Sequence, residues 1–522
     1  MNAMRQHIKT AAIVLMAILS LSACRKESDM VQNYSYESVL AFGGADKSFG
    51  EKFKILWEGL NTNYALWDFE AEHGLDWDEV YETYYPKFVE LDTLSLKRTI
   101  TNKELENLLN QVVGPLHDGH LSVEMKNHSN DSTAYASPGN LRIESERKQE
   151  IKDLEKFKAP SLAYYEQKGI AKDVRTFDAT TDAQLAASRD SAKRWIKAAL
   201  DTLSAKTVLT DSELDTQNLV QDIERQLADL EKILSNRELL AAFNKIANRY
   251  AYLNIPGFYV LDESLFESGL RMTSALLNGN IAYLNFSDFS ITEYLTRFTD
   301  EAKDMEPYAA SLVAGIKETW EAWFNTIQDL HKSGKLGGVI IDVRCNSGGS
   351  TADYQYVLGA LVPSGGLQIM NSRCKRGTGR YDYSPVTPSI MPTYQTEHVT
   401  VTEPIVVLAN AKSVSMAELT SIGTKVLDNA RLVGTRTWGG LCGLVDNQYY
   451  DLTYAGHIGV SGKTPVYVYC PITAMFDMDG HILEGYGVTP DIEVPLDLKA
   501  WNMGAGPDSQ LDRAIEYIVT GK

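Results

Sequence analysis

The chain has 522 residues and a formal net charge of −19, with 50 Lys and Arg against 69 Asp and Glu. Hydrophobic residues make up 44% and charged residues 23%, ordinary globular proportions that exclude collagen, a low-complexity polymer and wholesale disorder. The acidic balance excludes nucleic acid as the main partner, because it would repel a phosphate backbone.

The N-terminus predicts an exported protein. Arg5 and Lys9 precede an apolar run over residues 11–21, which is too short to span a bilayer and has the form of a secretory signal. The Leu-Ser-Ala-Cys sequence ending at Cys24 resembles the bacterial lipobox, whose Cys becomes the lipidated first residue. We therefore expect residues 1–23 to be removed and Cys24 to anchor the chain to the cell envelope, at the outer membrane, facing the periplasm or the exterior. In the alternative, an ordinary signal peptide, Cys24 is incidental.

A tether and a small helical domain are expected next. Residues 24–50 are polar and rich in Gly and Ser, which suits a linker between lipid and body. Residues 51–126 have a helical, aromatic pattern, and the spacing of Thr101 and Glu104 predicts a capping box that opens a helix.

Residues 127–277 are predicted to be a strongly charged helical insertion. Thr210 and Glu213 form a second capping box. After it, apolar residues recur at spacings of three and four, a pattern typical of packing against a neighbouring helix: Val220, Ile223, Leu227, Leu230 and Leu234.

Residues 278–522 predict an α/β core. Short apolar runs alternate with helical stretches, which indicates a mostly parallel, buried sheet. Strands are expected at 281–286, 338–343, 404–408, 431–433 and 465–469, and helices at 307–332, 416–428 and 508–519. Reactive groups in such folds lie at the C-terminal ends of strands.

The first motif that can carry chemistry is Ile-Asp-Val-Arg-Cys-Asn-Ser-Gly-Gly at residues 341–349. A strand ends here in Gly348 and Gly349. Glycines let backbone N–H groups face one point without obstruction, as an oxyanion hole requires. The alternative is a tight turn in which the glycines serve backbone geometry alone.

The second motif places Ser415 at the start of a predicted helix, directly after a strand and a short loop. Its hydroxyl would lie in the positive field of the helix end, with the N–H of Met416 near a developing oxyanion. Ser415 and Glu418 also have capping-box spacing, so an ordinary N-cap is the alternative. Ser413 is a weaker competitor for the nucleophile.

The third motif is His-Asp-Gly-His at residues 117–120, and the fourth is a Gly-rich turn that begins with Glu484. Histidine is the usual general base near neutral pH, and the preceding glycine permits a close approach. The alternatives are a surface turn or a metal site from His117, Asp118 and His120. No HExxH helix supports a metal, and none is expected. A glutamate such as Glu484 is usually solvated.

The remaining cysteines carry no CxxC pair and do not predict a zinc site. In an exported protein they could form disulfides or stay as buried thiols, and both alternatives remain open. They are Cys345, Cys374, Cys442 and Cys470.

In this order, the four motifs resemble the tail-specific, C-terminal-processing and tricorn-like serine peptidases of the S41 type. The resemblance covers about residues 278–497 and extends through the Asp-Gly-His turn to about residue 50. It implies a ClpP/crotonase-like core and no cofactor. No PDZ-like pattern lies between His120 and the core, where the insertion is expected instead.

The resemblance also implies site roles. Ser415 falls on the nucleophile, and the N–H groups of Met416 and of Gly348 or Gly349 fall on the oxyanion hole. Processing peptidases of this type pair the serine with a lysine, but Gly440 stands where that lysine would be.

The tricorn-like branch instead uses a histidine, and His120 and Glu484 match its base and the acid that orients it. We therefore expect a membrane-anchored serine endopeptidase that cleaves peptides or proteins by acyl transfer. The alternatives are a non-catalytic peptide- or ligand-binding lipoprotein on the same scaffold and, more distantly, a metallohydrolase using His117 and His120.

Overall fold

The structure is a computed structural model. It describes residues 47–178, 204–230, 270–297, 307–377, 379–443, 457–459 and 461–522, together with 190, 193–194, 197 and 200–201. The predicted signal sequence, Cys24, most of the predicted tether and residues 231–269 of the predicted insertion lie outside these residues.

Twelve α-helices are present in the described parts of the chain. In chain order they are α1 (Phe49–Asn63), α2 (Trp67–Glu72), α3 (Trp77–Ser95), α4 (Asn102–Val113), α5 (Pro138–Glu146), α6 (Lys148–Phe157), α7 (Ala163–Gln167), α8 (Asp211–Leu230), α9 (Pro307–Lys332), α10 (Met416–Gly423), α11 (Leu498–Trp501) and α12 (Ser509–Thr520). None of the described helices is long and apolar enough to cross a membrane.

The strands of the described residues belong to three sheets. In chain order they are β1 (Ser122–Asn127), β2 (Ser132–Ala136), β3 (Ala171–Asp178), β4 (Arg271–Leu277), β5 (Ile281–Phe286), β6 (Gly338–Asp342), β7 (Leu367–Cys374), β8 (Thr387–Met391), β9 (Ile405–Ala409), β10 (Ala430–Gly434), β11 (His457–Ile458), β12 (Val466–Tyr469), β13 (Thr473–Phe476) and β14 (Ile492–Glu493). The smallest sheet has the order β13-β7-β8.

The chain divides into two compact units, each assembled from separate segments. The first combines the residues up to Arg147 with 370–388 and 439–486, and the second contains the rest. The predicted domain boundaries stay a prediction. The range expected to be a helical insertion contains α5 to α8 and also β2, β3 and β4.

The first unit has an antiparallel sheet of order β11-β12-β1-β2. β1 lies beside β12, with Ser122 opposite Tyr469. The face of α1 that contains Phe53, Leu56 and Leu60 is fully buried in the aromatic core of this unit. The segment after α4 therefore leads into β1, which lies between β2 and the sequence-distant strand β12.

The second unit is built on a seven-stranded sheet of order β14-β10-β9-β6-β5-β4-β3. The strands from β14 to β5 run parallel, and β4 and β3 continue the sheet antiparallel. β5, β6 and β9 are buried along their whole length, which explains their continuous apolar sequences. Because β6 and β9 are parallel neighbours, the loops that follow them emerge at the same sheet edge.

The α/β fold class is confirmed, and several local predictions agree with the structure. β5 and α9 begin and end at the predicted residues, and the other expected strands differ by one or two residues. Both capping boxes form, with reciprocal hydrogen bonds between Thr101 and Glu104 and between Thr210 and Glu213. The four cysteines within the described residues are not joined by disulfides.

Candidate active site

Ser415 lies where a buried strand of the second unit turns into a helix. β9 ends at Ala409, and α10 begins at Met416, directly after Ser415. The Ser415 backbone has φ +56° and ψ −116°, which is strained for a residue with a side chain. An ordinary N-cap residue has an extended backbone instead. A strained strand-to-helix turn exposes the nucleophile in α/β serine hydrolases, so this backbone conformation suits a nucleophile although the Ser415–Glu418 capping box also forms.

A buried carboxylate holds this strained turn. Glu418 accepts a hydrogen bond from the Ser415 N–H at Oε2 (3.1 Å) and another from the Thr437 hydroxyl at Oε1 (2.6 Å). The Thr437 hydroxyl in turn accepts the N–H of Val488 (2.7 Å). Sequence reasoning identified Glu418 only as a cap residue and missed Thr437, because no local spacing relates Thr437 to the α10 turn.

The hydroxyl of Ser413, the weaker candidate for the nucleophile, makes two structural hydrogen bonds. The residue is fully buried, and its hydroxyl donates to the Val343 carbonyl (2.8 Å) while accepting the Asn410 N–H (3.0 Å). Ser413 therefore ties the loop after β9 to the end of β6. The half-buried Ser415 is the better candidate for attack on a substrate.

Gly348 packs directly against the Ser415 turn. A Cβ placed on Gly348 would lie 2.6 Å from the Ser415 Cβ and 3.0 Å from the Met416 nitrogen, and φ is +91°. Only glycine combines this backbone conformation with so close an approach. The Gly-Gly segment after β6 therefore lies beside the serine and the helix N-terminus, as the predicted oxyanion hole requires.

The two glycines use their N–H groups differently. Gly348 donates to the Asn346 side-chain oxygen (2.8 Å). Across the part of the chain that the structure describes, the N–H of Gly349 has no hydrogen-bond acceptor. The N–H of Met416 lies in the first helical turn, whose N–H groups have no partner inside the helix. Gly349 and Met416 are therefore the better-suited pair of oxyanion donors, with Gly348 allowing their approach.

In the first unit, Asp118 organises the turn that contains His120. Its Oδ1 accepts the N–H groups of His120 (2.7 Å) and Leu121 (2.8 Å). Asp118 is fully buried, and burial raises the pKa of its carboxyl to about 7 despite these two donors. The aspartate of the His-Asp-Gly-His motif is thus a backbone anchor for the histidine that follows it.

Glu484 acts on the same turn through backbone groups. Its Oε1 accepts the Gly119 N–H (2.7 Å), and its Oε2 accepts the N–H groups of Leu441 and Cys442 (both 2.6 Å). The residue is buried, so it is not the solvated glutamate that its Gly-rich turn usually implies. Glu484 joins the His120 turn to the segment after Gly440.

That segment also contacts the turn directly. A Cβ on Gly119 would lie 2.3 Å from the Gly439 carbonyl oxygen and 2.6 Å from the Gly440 Cα. The backbone of Gly439 and Gly440 therefore packs against the glycine that precedes His120. A glycine is needed at 119 because the two backbones touch.

His117 and His120 have different environments. The His117 Nδ1 lies 2.8 Å from the Glu70 Oε2, and its backbone N–H donates to the Glu70 Oε1 (2.8 Å). The Tyr64 hydroxyl also donates to this buried carboxylate (2.8 Å). His117 is therefore engaged with Glu70.

The His120 ring is buried at both nitrogens, and neither has a hydrogen-bond partner within the described residues. Burial lowers the pKa of His120 to about 4, because the charged imidazolium is poorly solvated there. The imidazole is consequently neutral at pH 7, the form in which a histidine accepts a proton. Ser415 lies in the second unit and His120 and Glu484 in the first, so the contact between serine and histidine stays a prediction.

Comparison with known proteins shows which family and which proteins the chain is similar to. Residues 280–494 match the model of Peptidase family S41. Tricorn protease homolog 1 of Streptomyces coelicolor is 30% identical over 197 residues, which are 38% of this chain and 16% of that protein. The Tricorn protease of Thermoplasma volcanium is 21% identical over 496 residues, 94% of this chain and 38% of that protein. Over residues 280–494 the chain is therefore similar to Peptidase family S41, and these sequence relatives are tricorn proteases.

The structure of mature CPAF complexed with lactacystin is also similar to this chain. It aligns over 92% of this chain and 100% of that one, with 13% identity and a TM-score of 0.45. The chain spans less than two fifths of the length of either tricorn relative.

Proposed function

We propose that the chain is a serine peptidase that hydrolyses peptides or proteins by acyl transfer. Ser415 Oγ attacks the scissile carbonyl while His120 takes its proton, and the tetrahedral oxyanion is held by the N–H groups of Met416 and Gly349. His120 then protonates the leaving amine, and water hydrolyses the acyl-enzyme. This requires the His120 imidazole to come within about 2.6–3.2 Å of Ser415 Oγ during the reaction.

The observation that carries the proposal is the backbone of Ser415. Its φ of +56° at the strand-to-helix turn costs on the order of 1–3 kcal/mol, and an N-cap serine does not need it. The surroundings maintain it through Glu418 and the close approach of Gly348. Strain that neighbouring groups enforce at a half-buried nucleophile is typical of a catalytic turn.

The base side supports a histidine mechanism. His120 is neutral near pH 7, and neither ring nitrogen is engaged elsewhere in the described residues. Gly440, where a lysine base would stand, packs by its backbone against Gly119.

Glu484 is a positioning residue in this proposal. It bonds the Gly119 N–H, so it places His120 through the backbone of the turn. We expect its loss to lower kcat more than it changes KM.

The test is peptide cleavage by the full chain and by variants, with a peptide library as substrate. Ser415→Ala and His120→Ala should each lower kcat/KM by about 10³-fold or more, and the double variant should lose little beyond that, because the two side chains act as a unit. A serine-directed active-site probe should label wild type but not Ser415→Ala. The matched control is Ser421→Ala, which removes a hydroxyl of α10 that bonds only its own helix.

Three outcomes would redirect the assignment. Equal cleavage by wild type and Ser415→Ala would remove Ser415 as nucleophile. Loss of activity in EDTA would favour the metallohydrolase. Peptide binding without cleavage by any variant would favour the non-catalytic peptide-binding alternative.

The lipid anchor is part of the same proposal. The lipobox-like sequence before Cys24 supports a peptidase attached to the bacterial envelope by an N-terminal lipid. Metabolic labelling with a fatty acid should mark the wild-type chain and not Cys24→Ser. Labelling of both would contradict the anchor without affecting the peptidase assignment.

A further inference from the structure

The turn that contains His120 gathers three side chains of metal-binding type. One ligand atom from each of Asp118, His120 and Glu484 lies within 4.8 Å of the other two. All three belong to the first unit, so the cluster is complete within one compact body. In a tetrahedral zinc site with bonds of about 2.0–2.2 Å, ligand atoms lie roughly 3.5 Å apart. Small side-chain adjustments therefore suffice to bring these atoms around one ion.

Two of the three residues present buried polar atoms that nothing else satisfies. Among the described residues, the two ring nitrogens of His120 have no hydrogen-bond partner. The same is true of the Oδ2 atom of Asp118. Asp118 is fully buried, and a buried carboxylate oxygen without a partner is costly. A cation bound by the cluster would take one ligand atom from each residue, so it would give one ring nitrogen of His120 and one carboxylate oxygen of Asp118 a partner.

The remaining contacts of the cluster fix its ligands in place. Asp118 Oδ1 accepts two backbone N–H groups, and Glu484 is fixed by three more. Hydrogen bonds from outer groups to ligating carboxylates are the usual support of metal sites, because they orient the ligands before the ion arrives. The backbone geometry of this turn therefore provides a preformed ligand set.

The charge around the cluster favours a dication. Asp118 interacts with the carboxylate of Glu70 and with the guanidinium of Arg142. Glu484 supplies the second carboxylate of the cluster, so two acidic side chains and one imidazole would surround the ion.

We propose that Asp118, His120 and Glu484 bind one zinc ion, and that the bound ion reversibly inhibits the chain by occupying the imidazole of His120. The binding stands independently of catalysis, whereas the inhibition rests on the proposed role of His120 as base. The donor set of one imidazole and two carboxylates is typical of zinc, with water or a substrate oxygen in the fourth position.

Direct zinc binding tests the site. The full chain is titrated with Zn²⁺ against a chromophoric chelator, and Co²⁺ absorption is recorded as a reporter of tetrahedral geometry. Wild type should bind one ion at this site. His120→Gln should raise Kd by about 100-fold and Asp118→Asn by about tenfold or more. Asp118→Asn is informative because its Oδ1 can still accept the N–H groups of His120 and Leu121, so the turn is retained while the anionic oxygen is lost.

The control uses the second acidic cluster with a histidine in the described residues. Asp477, Asp479 and His481 lie close together but are mostly exposed. His481→Gln should leave the high-affinity zinc site unchanged. Equal zinc affinity and Co²⁺ spectra for wild type, His120→Gln and Asp118→Asn would overturn the site, as would loss of binding in His481→Gln.

Inhibition is measured separately on peptide cleavage, with each variant normalised to its own zinc-free rate. Zinc should inhibit wild type with a constant equal to its measured Kd, EDTA should restore the rate, and Asp118→Asn should need at least about tenfold more zinc. Zinc binding by a chain without peptidase activity would contradict the proposed function but support the proposed zinc site. Peptidase activity that depends on Ser415 and His120 but does not change with added zinc would contradict the proposed inhibition and support the proposed function.

Discussion

The turn around Ser415 and the turn around His120 position their reactive side chains in different ways. At Ser415 the reactive residue itself has a strained backbone, and one carboxylate, Glu418, accepts its N–H. At His120 the strain is absent, and two carboxylates, Asp118 and Glu484, accept the N–H groups of three consecutive residues from Gly119 to Leu121. The serine turn is thus fixed by conformation and close packing, and the histidine turn by charge-assisted hydrogen bonds.

This difference has a consequence for the side chains. The hydroxyl of Ser415 is directed by its strained backbone. The imidazole of His120 has no hydrogen-bond partner of its own in the described residues, so its position depends on burial and on the backbone that Asp118 and Glu484 hold. Variants that change packing should therefore damage the serine side most, and variants that change charge should damage the histidine side most.

The largest effects are expected from the glycine that each turn needs. Gly348→Ala would place a Cβ 2.6 Å from the Ser415 Cβ, and Gly119→Ala would place one 2.3 Å from the Gly439 carbonyl oxygen. Since a shift of about 1 Å at a catalytic group can cost 10²-fold, each variant should lose at least about 100-fold in kcat/KM. Each should also lose about 1–3 kcal/mol of unfolding free energy through overpacking.

Gly74→Ala is the control for this pair. Gly74 also has a positive φ of +87°, but a Cβ there meets no atom of the described residues within 4 Å. Its cost should be limited to backbone strain, on the order of 1 kcal/mol, with activity retained. Near-wild-type kcat/KM in Gly119→Ala would show that the His120 turn takes no part in catalysis.

These two turns also show how far the sequence could predict the site. The serine turn follows from local signals, a buried apolar strand, a short loop and the Ser-x-x-Glu spacing, and the strands and both capping boxes depend on equally local patterns. The histidine turn depends on Glu484, which is 365 residues from Gly119, and on β1 lying beside β12. Pairings over such distances have no periodicity to reveal them, so only the family resemblance connected His120 with Glu484.

The next effect concerns the segment that follows Gly349. Asp353 accepts the N–H groups of Ile291 (2.5 Å) and Thr292 (2.7 Å), and burial raises its pKa to about 6. An unfolded aspartate titrates near 3.9, so between about pH 4 and pH 6 the folded chain keeps a proton that the unfolded chain has lost. This group should therefore lower the unfolding free energy by about 2 kcal/mol as pH rises from 4 to 7.

Urea unfolding at both pH values measures this contribution. Asp353→Asn cannot titrate, so the pH-dependent change in its unfolding free energy should differ from that of wild type by about 2 kcal/mol. The same pH dependence in both chains would mean that Asp353 is not held protonated. The result would show whether the segment that follows Gly349 depends on a buried carboxyl group, as the turn around His120 does.

A smaller effect is expected when the single carboxylate of the serine turn is neutralised. Glu418→Gln offers one acceptor oxygen and one NH₂ to two donors, the Ser415 N–H and the Thr437 hydroxyl, so one contact becomes unfavourable. Losing a hydrogen bond to a charged group costs about 1.5–3 kcal/mol, and kcat should fall about tenfold with little change in KM.

Glu321→Gln, on the surface of α9, is the matched neutralisation and should stay within about 0.5 kcal/mol of wild type. An unchanged kcat in Glu418→Gln would show that packing against Gly348 alone maintains the Ser415 conformation.

The smallest effect on kcat is expected from Thr437, which lies between Glu418 and Val488 in the hydrogen-bond chain that begins at the Ser415 N–H. Thr437 donates to Glu418 and accepts from the Val488 N–H, and both contacts are buried. Thr437→Val preserves the shape but removes the donor to Glu418 and leaves the Val488 N–H without its acceptor, so the unfolding free energy should fall by about 2–4 kcal/mol although the effect on kcat is the smallest. Thr437→Ser keeps the hydroxyl and should behave like wild type.

Because Glu418 retains the Ser415 N–H in Thr437→Val, kcat should fall only a few-fold while the thermal unfolding midpoint shifts. A kcat loss as large as that of Glu418→Gln would mean that the serine turn is positioned from the segment at Val488 through Thr437. The serine side would then depend, as the histidine side does, on a contact from far along the chain.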